Sequence, residues 1–295
     1  MEIQESRSRS NFFLLVVLGY YLIIFLATVT FAGDELSETE ITSQVSNLMK
    51  LLQGVLTLAI FGGIAVFFGV TFSQEKWKYF NMHIPPKIFT LLLAGLLVFF
   101  SLPVINTMLE WNNQLNLPEW LSGVENWMKT AESNAEKITK QFLMVNSIGD
   151  LAVNLVVMAM IPAIAEELFF RGLLQRVLIA STKNIHIGIW LAAILFSALH
   201  GQFYGFLPRM VLGAILGYLF VWSGSLWVPI FAHFVNNGAA VLLAFYVKKG
   251  MISEDVENIG MGEDKFYFAL NSAFIVVLLL GWIWWRERKK QMAIE

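Results

Sequence analysis

Apolar runs about long enough to cross a bilayer constrain this chain more than any other feature. Eight can be drawn, at about 12–32, 48–72, 87–106, 146–180, 186–203, 206–223, 226–247 and 266–285. A membrane-spanning helix needs about 20 predominantly apolar residues. Lipid offers backbone polar groups no partner, so spanning segments satisfy them internally, as helices do. Hydrophobic residues make up 57% of the chain and charged residues 14%, against about 25% charged in soluble domains. The expectation is an all-α, polytopic membrane helix bundle of about eight transmembrane helices. No repeat or Pro/Gly/Ser linker divides it, so residues 1–295 read as a single integral membrane domain. The fourth run is too long for one simple span.

The Lys/Arg bias of short loops sets direction. Arg7 and Arg9 precede the first run, and no cation follows it before Lys50. Lys76, Lys78 and Lys87 flank the second connection. Arg176 and Lys183 lie near the fourth, and Arg286, Arg288, Lys289 and Lys290 follow the last run. Alternation over eight spans puts these cations and both termini in the cytoplasm, with Lys248 and Lys249 the exception. The expected location is that of an integral, multi-pass membrane protein, in the cell membrane if the source is prokaryotic. The first run has a small-residue site near Ala32, but its apolar core exceeds the roughly 7–15 residues of a cleavable signal. It reads as an uncleaved span.

Residues 107–145 break the pattern with Asn112, Asn113, Asn116, Pro118 and several charges, and read as an external loop carrying a short surface helix. A net charge of −2 with no basic stripe argues against a nucleic-acid partner. Absence of Cys removes disulfides, thiolate metal sites and cysteine nucleophiles together.

Ionisable side chains at membrane depth are expensive and so are candidates for function. Three clusters stand out: Glu166-Glu167 with Arg171, Phe196 with His200, and His233 with Asn236-Asn237. Glu167 and Arg171 are four apart and can pair on one helix face. Glu166 is turned about 100° away and has no cation at that spacing. Apolar surroundings disfavour a carboxylate's charge, which suits an unpaired one to general-base work. Pro162 removes the backbone donor to the carbonyl of Met158 and reads as a kink one turn before Glu166.

Depth gives a second argument. With a turn at 181–185, Glu166 and His200 both lie about 20 Å from it, and His233 and Asn237 reach similar depth on one face of a later helix. Glu166 with His200 can hold and deprotonate a water, and His233 with Asn237 can donate to an oxyanion on an amide carbonyl. Glu166, His200 and His233 could instead hold zinc, although no H-E-x-x-H motif is present. Blander readings stand beside these: a neutralised packing network for the acidic cluster, a hydrogen-bonded structural His200, and polar interhelical contacts for His233 and Asn237. Arg209, near the start of the sixth run, reads as snorkelling to the interface.

The three clusters resemble the CAAX prenyl endopeptidase and bacteriocin-processing (CPBP, abortive infection) family of intramembrane proteases. Its pattern is E-E-x-x-x-R, then F-x-x-x-H, then H-x-x-x-N or H-x-x-x-D. Glu166, Glu167 and Arg171 fill the first element, Phe196 and His200 the second, His233 and Asn237 the third. The resemblance covers about 150–245 and implies a catalytic core there. In that core Glu166, His200, His233 and Asn237 are catalytic, and Glu167, Arg171 and Phe196 support them. It implies hydrolysis of peptide bonds in membrane-associated or lipidated protein substrates, with the lipid bilayer as the other partner. Family members have been described both as metalloproteases and as glutamate proteases. Asn237 is a good amide donor and a poor zinc ligand, so the reading favours no required cofactor, with zinc the alternative. A non-catalytic membrane immunity or scaffold factor retaining the polar cluster is the rival function. A transporter is a third class, for which the matching broken repeats are missing.

Overall fold

The computed structural model describes residues 15–16, 18–24, 26, 43–72, 76–143, 145–256, 259–262 and 266–291. Arg7, Arg9, the cleavage site near Ala32 and most of the acidic segment after it lie outside the described residues. Residues 18–24 are helical, and their tyrosines dock on the bundle: the Tyr20 hydroxyl donates to Ile60 O and that of Tyr21 to Leu195 O, each at 2.9 Å.

Eight further helices follow: α1 (43–72), α2 (Ile88–Asn113), α3 (Ser122–Leu143), α4 (Ile148–Thr182), α5 (Ile185–Leu199), α6 (Phe206–Ser223), α7 (Trp227–Lys248) and α8 (Phe266–Gln291). Six of them, α1, α2, α4, α6, α7 and α8, are long and apolar enough to cross a membrane. Among the described residues there are no strands. The chain is an integral, multi-pass helical bundle. Helices α4, α5, α6 and α7 pack around the ionisable residues; α1 covers α4 on one flank, and α2 backed by α8 covers α6 and α7 on the other.

The fourth run is one helix of 35 residues. It reconciles its length with its contents by two π-helical stretches, Leu155–Met160 and Leu168–Gln175, which bracket the α-helical piece Ile161–Glu167. Pro162 sits in the first turn of that piece, directly after the first π-helical stretch. At Lys183 the backbone turns left-handed (φ 54°), and Asn184 caps α5 by accepting from Ile187 N. Gly188 lets the two arms of this hairpin touch: a Cβ there would lie 2.7 Å from the backbone N of Ile179.

Two boundaries differ from the sequence reading. The fifth run stops at Leu199, so α5 has 15 residues and rises only about 22 Å. That is short of a hydrocarbon core of about 30 Å, so the loop 200–205 lies at membrane depth. Irregular backbone there is tolerated where protein or a wet cavity surrounds it. The third run continues past 106 to Asn113, because its polar end is satisfied by a remote loop: Asn106 Nδ2 donates to Ile259 O at 2.9 Å and Thr107 Oγ1 to Gly260 O at 2.6 Å. The surface helix is accordingly separate and long, 22 residues of α3, with Ala131, Asn134 and Phe142 on its buried side.

Helix α8 is stapled to α2 at two levels. Pro103 cannot donate within α2, and Ser272 intervenes beside it by donating to Phe100 O and accepting from Val104 N. At the end, buried Glu287 accepts from Lys87 Nζ at 2.6 Å and from Thr90 Oγ1.

Candidate active site

The site grows out of the second π-helical stretch of α4. Arg171 Nη1 meets Glu167 Oε1 at 2.6 Å, with side chains 2% and 0% exposed. Arg171 Nη2 donates to Gly213 O at 2.9 Å, and one turn on, Gln175 Nε2 donates to Gly217 O at 3.2 Å. These two rungs fix the rotation of α4 against α6. They need glycine: a Cβ at 217 would fall 2.6 Å from Gln175 Oε1, and one at 213 would lie 3.3 Å from Ala193. A buried guanidinium demands a full set of acceptors, and this one also lies over the Phe196 ring at 4.7 Å.

Glu167 has a second partner that spacing did not show. His233 Nδ1 lies 2.8 Å from Glu167 Oε1. A carboxylate accepts, so Nδ1–H donates, and in a neutral ring Nε2 is left as an acceptor. That Nε2 lies 4.0 Å from Glu166 Oε2. Glu166 is 13% exposed at its side chain, and its Oε2 is buried without a hydrogen-bond partner. Adjacent glutamates therefore have different surroundings: Glu167 orients His233 and holds Arg171, while Glu166 presents an uncommitted oxygen to the same imidazole.

Phe196 ties the remaining pieces together. Its ring packs edge-on against His200 at 4.9 Å and His233 at 6.0 Å, and against Phe170 at 5.0 Å. Its carbonyl accepts from His200 Nδ1 at 2.8 Å, which fixes the proton on that nitrogen and leaves Nε2 as the free acceptor. His200 follows the last residue of α5 and is exposed despite its depth. Asn237 lies one turn after His233; its Nδ2 makes a long 3.5 Å contact to Met158 O, the carbonyl that Pro162 deprives of a backbone donor. Its Oδ1 accepts from Asn236 Nδ2 at 3.1 Å.

The structure thus assembles Glu166, Glu167, Arg171, Phe196 and His233 in one cluster, with His200 joined to it through Phe196 and Asn237 beside α4. Among the described residues, no three His, Asp or Glu side chains form a metal-binding group.

Three features escaped the sequence reading. Gln175 was visible in principle as a polar residue four after Arg171. Arg209 does not snorkel outward: it donates to Gln202 O at 3.2 Å and Gln202 Oε1 at 2.9 Å, near enough for both Glu132 and Glu166 to feel its charge. Asn112 carried no local signal at all. It clamps the chain after His200, with Nδ2 donating to Phe203 O at 2.8 Å and Oδ1 accepting from Leu207 N at 3.2 Å.

Residues 148–239 match the family model described as Type II CAAX prenyl endopeptidase Rce1-like, so this part of the chain is similar to that family and the motif resemblance holds. A Bacillus subtilis (strain 168) relative, "Uncharacterized protein YpbD", is 32% identical over 111 residues, 36% of this chain and 54% of the relative. The chain spans about half the length of that curated relative. No solved structure shows a significant match.

Proposed function

We propose that the protein is an intramembrane endopeptidase that hydrolyses peptide bonds of membrane-associated or lipidated proteins, with Glu166 as general base. The observation that carries this reading is the pairing of a partnerless Glu166 Oε2 with His233 Nε2 at 4.0 Å. Two acceptors at that separation can share the hydrogens of one water. Attack of its oxygen on an amide carbonyl sends one proton to Glu166, which then delivers it to the leaving nitrogen as the C–N bond breaks. His200 Nε2 offers a further acceptor. Asn237 Nδ2, held only loosely by Met158 O, can donate to the oxyanion, while His233 Nε2 keeps the water's second hydrogen. Both termini are placed in the cytoplasm by the cation bias.

The test is a proteolysis assay with purified protein in lipid and a panel of membrane-anchored and prenylated peptides, followed by mass spectrometry. Wild type should give defined fragments, and Glu166→Gln should give none while remaining folded. Full biological activity in a Glu166→Ala strain would replace this reading with a scaffold or immunity role.

A further inference from the structure

The loop that follows His200 is held by an element outside the Rce1-like region. Helix α3 lies against it: Glu132 Oε2 accepts from Tyr204 N at 3.2 Å, and the Trp127 ring meets the Phe203 ring edge-on at 5.2 Å. The loop has no regular secondary structure of its own between Leu199 and Phe206. Its other ties are Asn112 on α2 and the bonds from Arg209 to Gln202. Beside this junction is a cavity of about 1330 Å³ whose wall includes Glu132 and Glu136 from α3 and Gln202 and Tyr204 from the loop. A short helix ending at membrane depth leaves His200 with one covalent neighbour in a helix and one in a loop. The position of its imidazole therefore depends on how firmly that loop is fastened.

We propose that Glu132 is a positioning residue: from α3 it fastens the loop 201–205 and thereby sets the His200 imidazole against Phe196, beside the cluster on α4. This rests on the reading of His200 as part of the hydrolytic site. Glu132 sits in a charged setting consistent with the role. Burial pushes its carboxyl up from the ordinary glutamate range, while the Tyr204 amide and the Arg209 charge pull it back. Arg209 in turn feels Glu166, so the fastening and the reacting carboxylate share one cation. Two lysines of α3 pair with other carboxylates, Lys129 with Glu125 and Lys140 with Glu136. Glu132 serves the Tyr204 N–H and the Arg209 charge.

The experiment uses the purified full chain. A peptide cleaved by wild type provides kcat and KM, and timed reaction with diethyl pyrocarbonate followed by mass spectrometry provides the modification rate of each histidine. Glu132→Ala should lower kcat about tenfold to a hundredfold, as loss of a hydrogen bond to a charged acceptor implies, with KM within about twofold. Glu132→Gln keeps a carbonyl for the Tyr204 N–H and should restore most of kcat. His200 should be modified several-fold faster in Glu132→Ala, and in Trp127→Ala should that variant alone fold, with exposed His186 as the unchanged internal control. A raised KM with kcat intact would show that Glu132 touches substrate instead, and overturns the proposal. So does an unchanged His200 rate, a readout independent of whether the wild-type chain cleaves anything.

Discussion

Neutralising each of the adjacent glutamates should separate folding from chemistry. Glu167→Gln leaves Arg171, 1% exposed, as a buried cation that has lost the carboxylate it pairs with. Breaking a buried pair from one side costs about 3–5 kcal/mol, because the stranded charge is not re-solvated. The pair is too enclosed for solvent screening to reduce that figure. At roughly 2–4 °C of Tm per kcal/mol for a chain of this general size, the fall is on the order of 6–20 °C. Glu166→Gln removes a charge whose Oε2 has no hydrogen-bond partner, so its cost should stay below about 1 kcal/mol, while turnover disappears. In an Arg171→Gln background the Glu167→Gln penalty should shrink, giving a coupling of about 2–3 kcal/mol in the double-mutant cycle. The assay is thermal unfolding of detergent-purified protein followed by intrinsic fluorescence, with each variant checked for membrane insertion. Equal Tm losses for Glu166→Gln and Glu167→Gln, or additivity of Glu167→Gln with Arg171→Gln, would falsify the division of roles.

Two other outcomes are expected. Thoroughly chelated protein should keep its proteolytic activity and carry far less than one zinc per chain by elemental analysis; loss of activity that zinc alone restores would make Glu166, His200 and His233 ligands instead. The chain has no native cysteine, so a single Trp120→Cys should react with a membrane-impermeant thiol reagent in intact cells; labelling only after rupture would reverse the assigned topology.

The parts of this architecture governed by local chemistry were legible in the sequence. Apolar run length located the spans, and the four-residue spacing of Glu167 and Arg171 gave the buried pair directly. The bond from Glu167 to His233 was not legible, because it depends on how two helices 66 residues apart are rotated about their axes. The end of α2 was misread for a related reason: Asn106 and Thr107 look like loop residues until their partners at Ile259 and Gly260 are known. The early stop of α5 had a signal in Gly201 and Gln202, but the aromatic residues after them made the apolar run look continuous. The π-helical stretches had none, since no side-chain pattern distinguishes them from α-helix.

Those stretches make chain length itself a property of the site. A π turn amounts to one residue more than an α-helix would hold over the same span. A further residue inserted between Leu168 and Gln175, where that slack is already taken up, would swing everything beyond it by about 100°. Arg171 and Gln175 could then no longer both find the Gly213 and Gly217 carbonyls. Substitutions along this segment perturb one contact at a time, whereas an added codon would disengage the whole ladder. The segment should therefore accept many changes of residue and no gain of length.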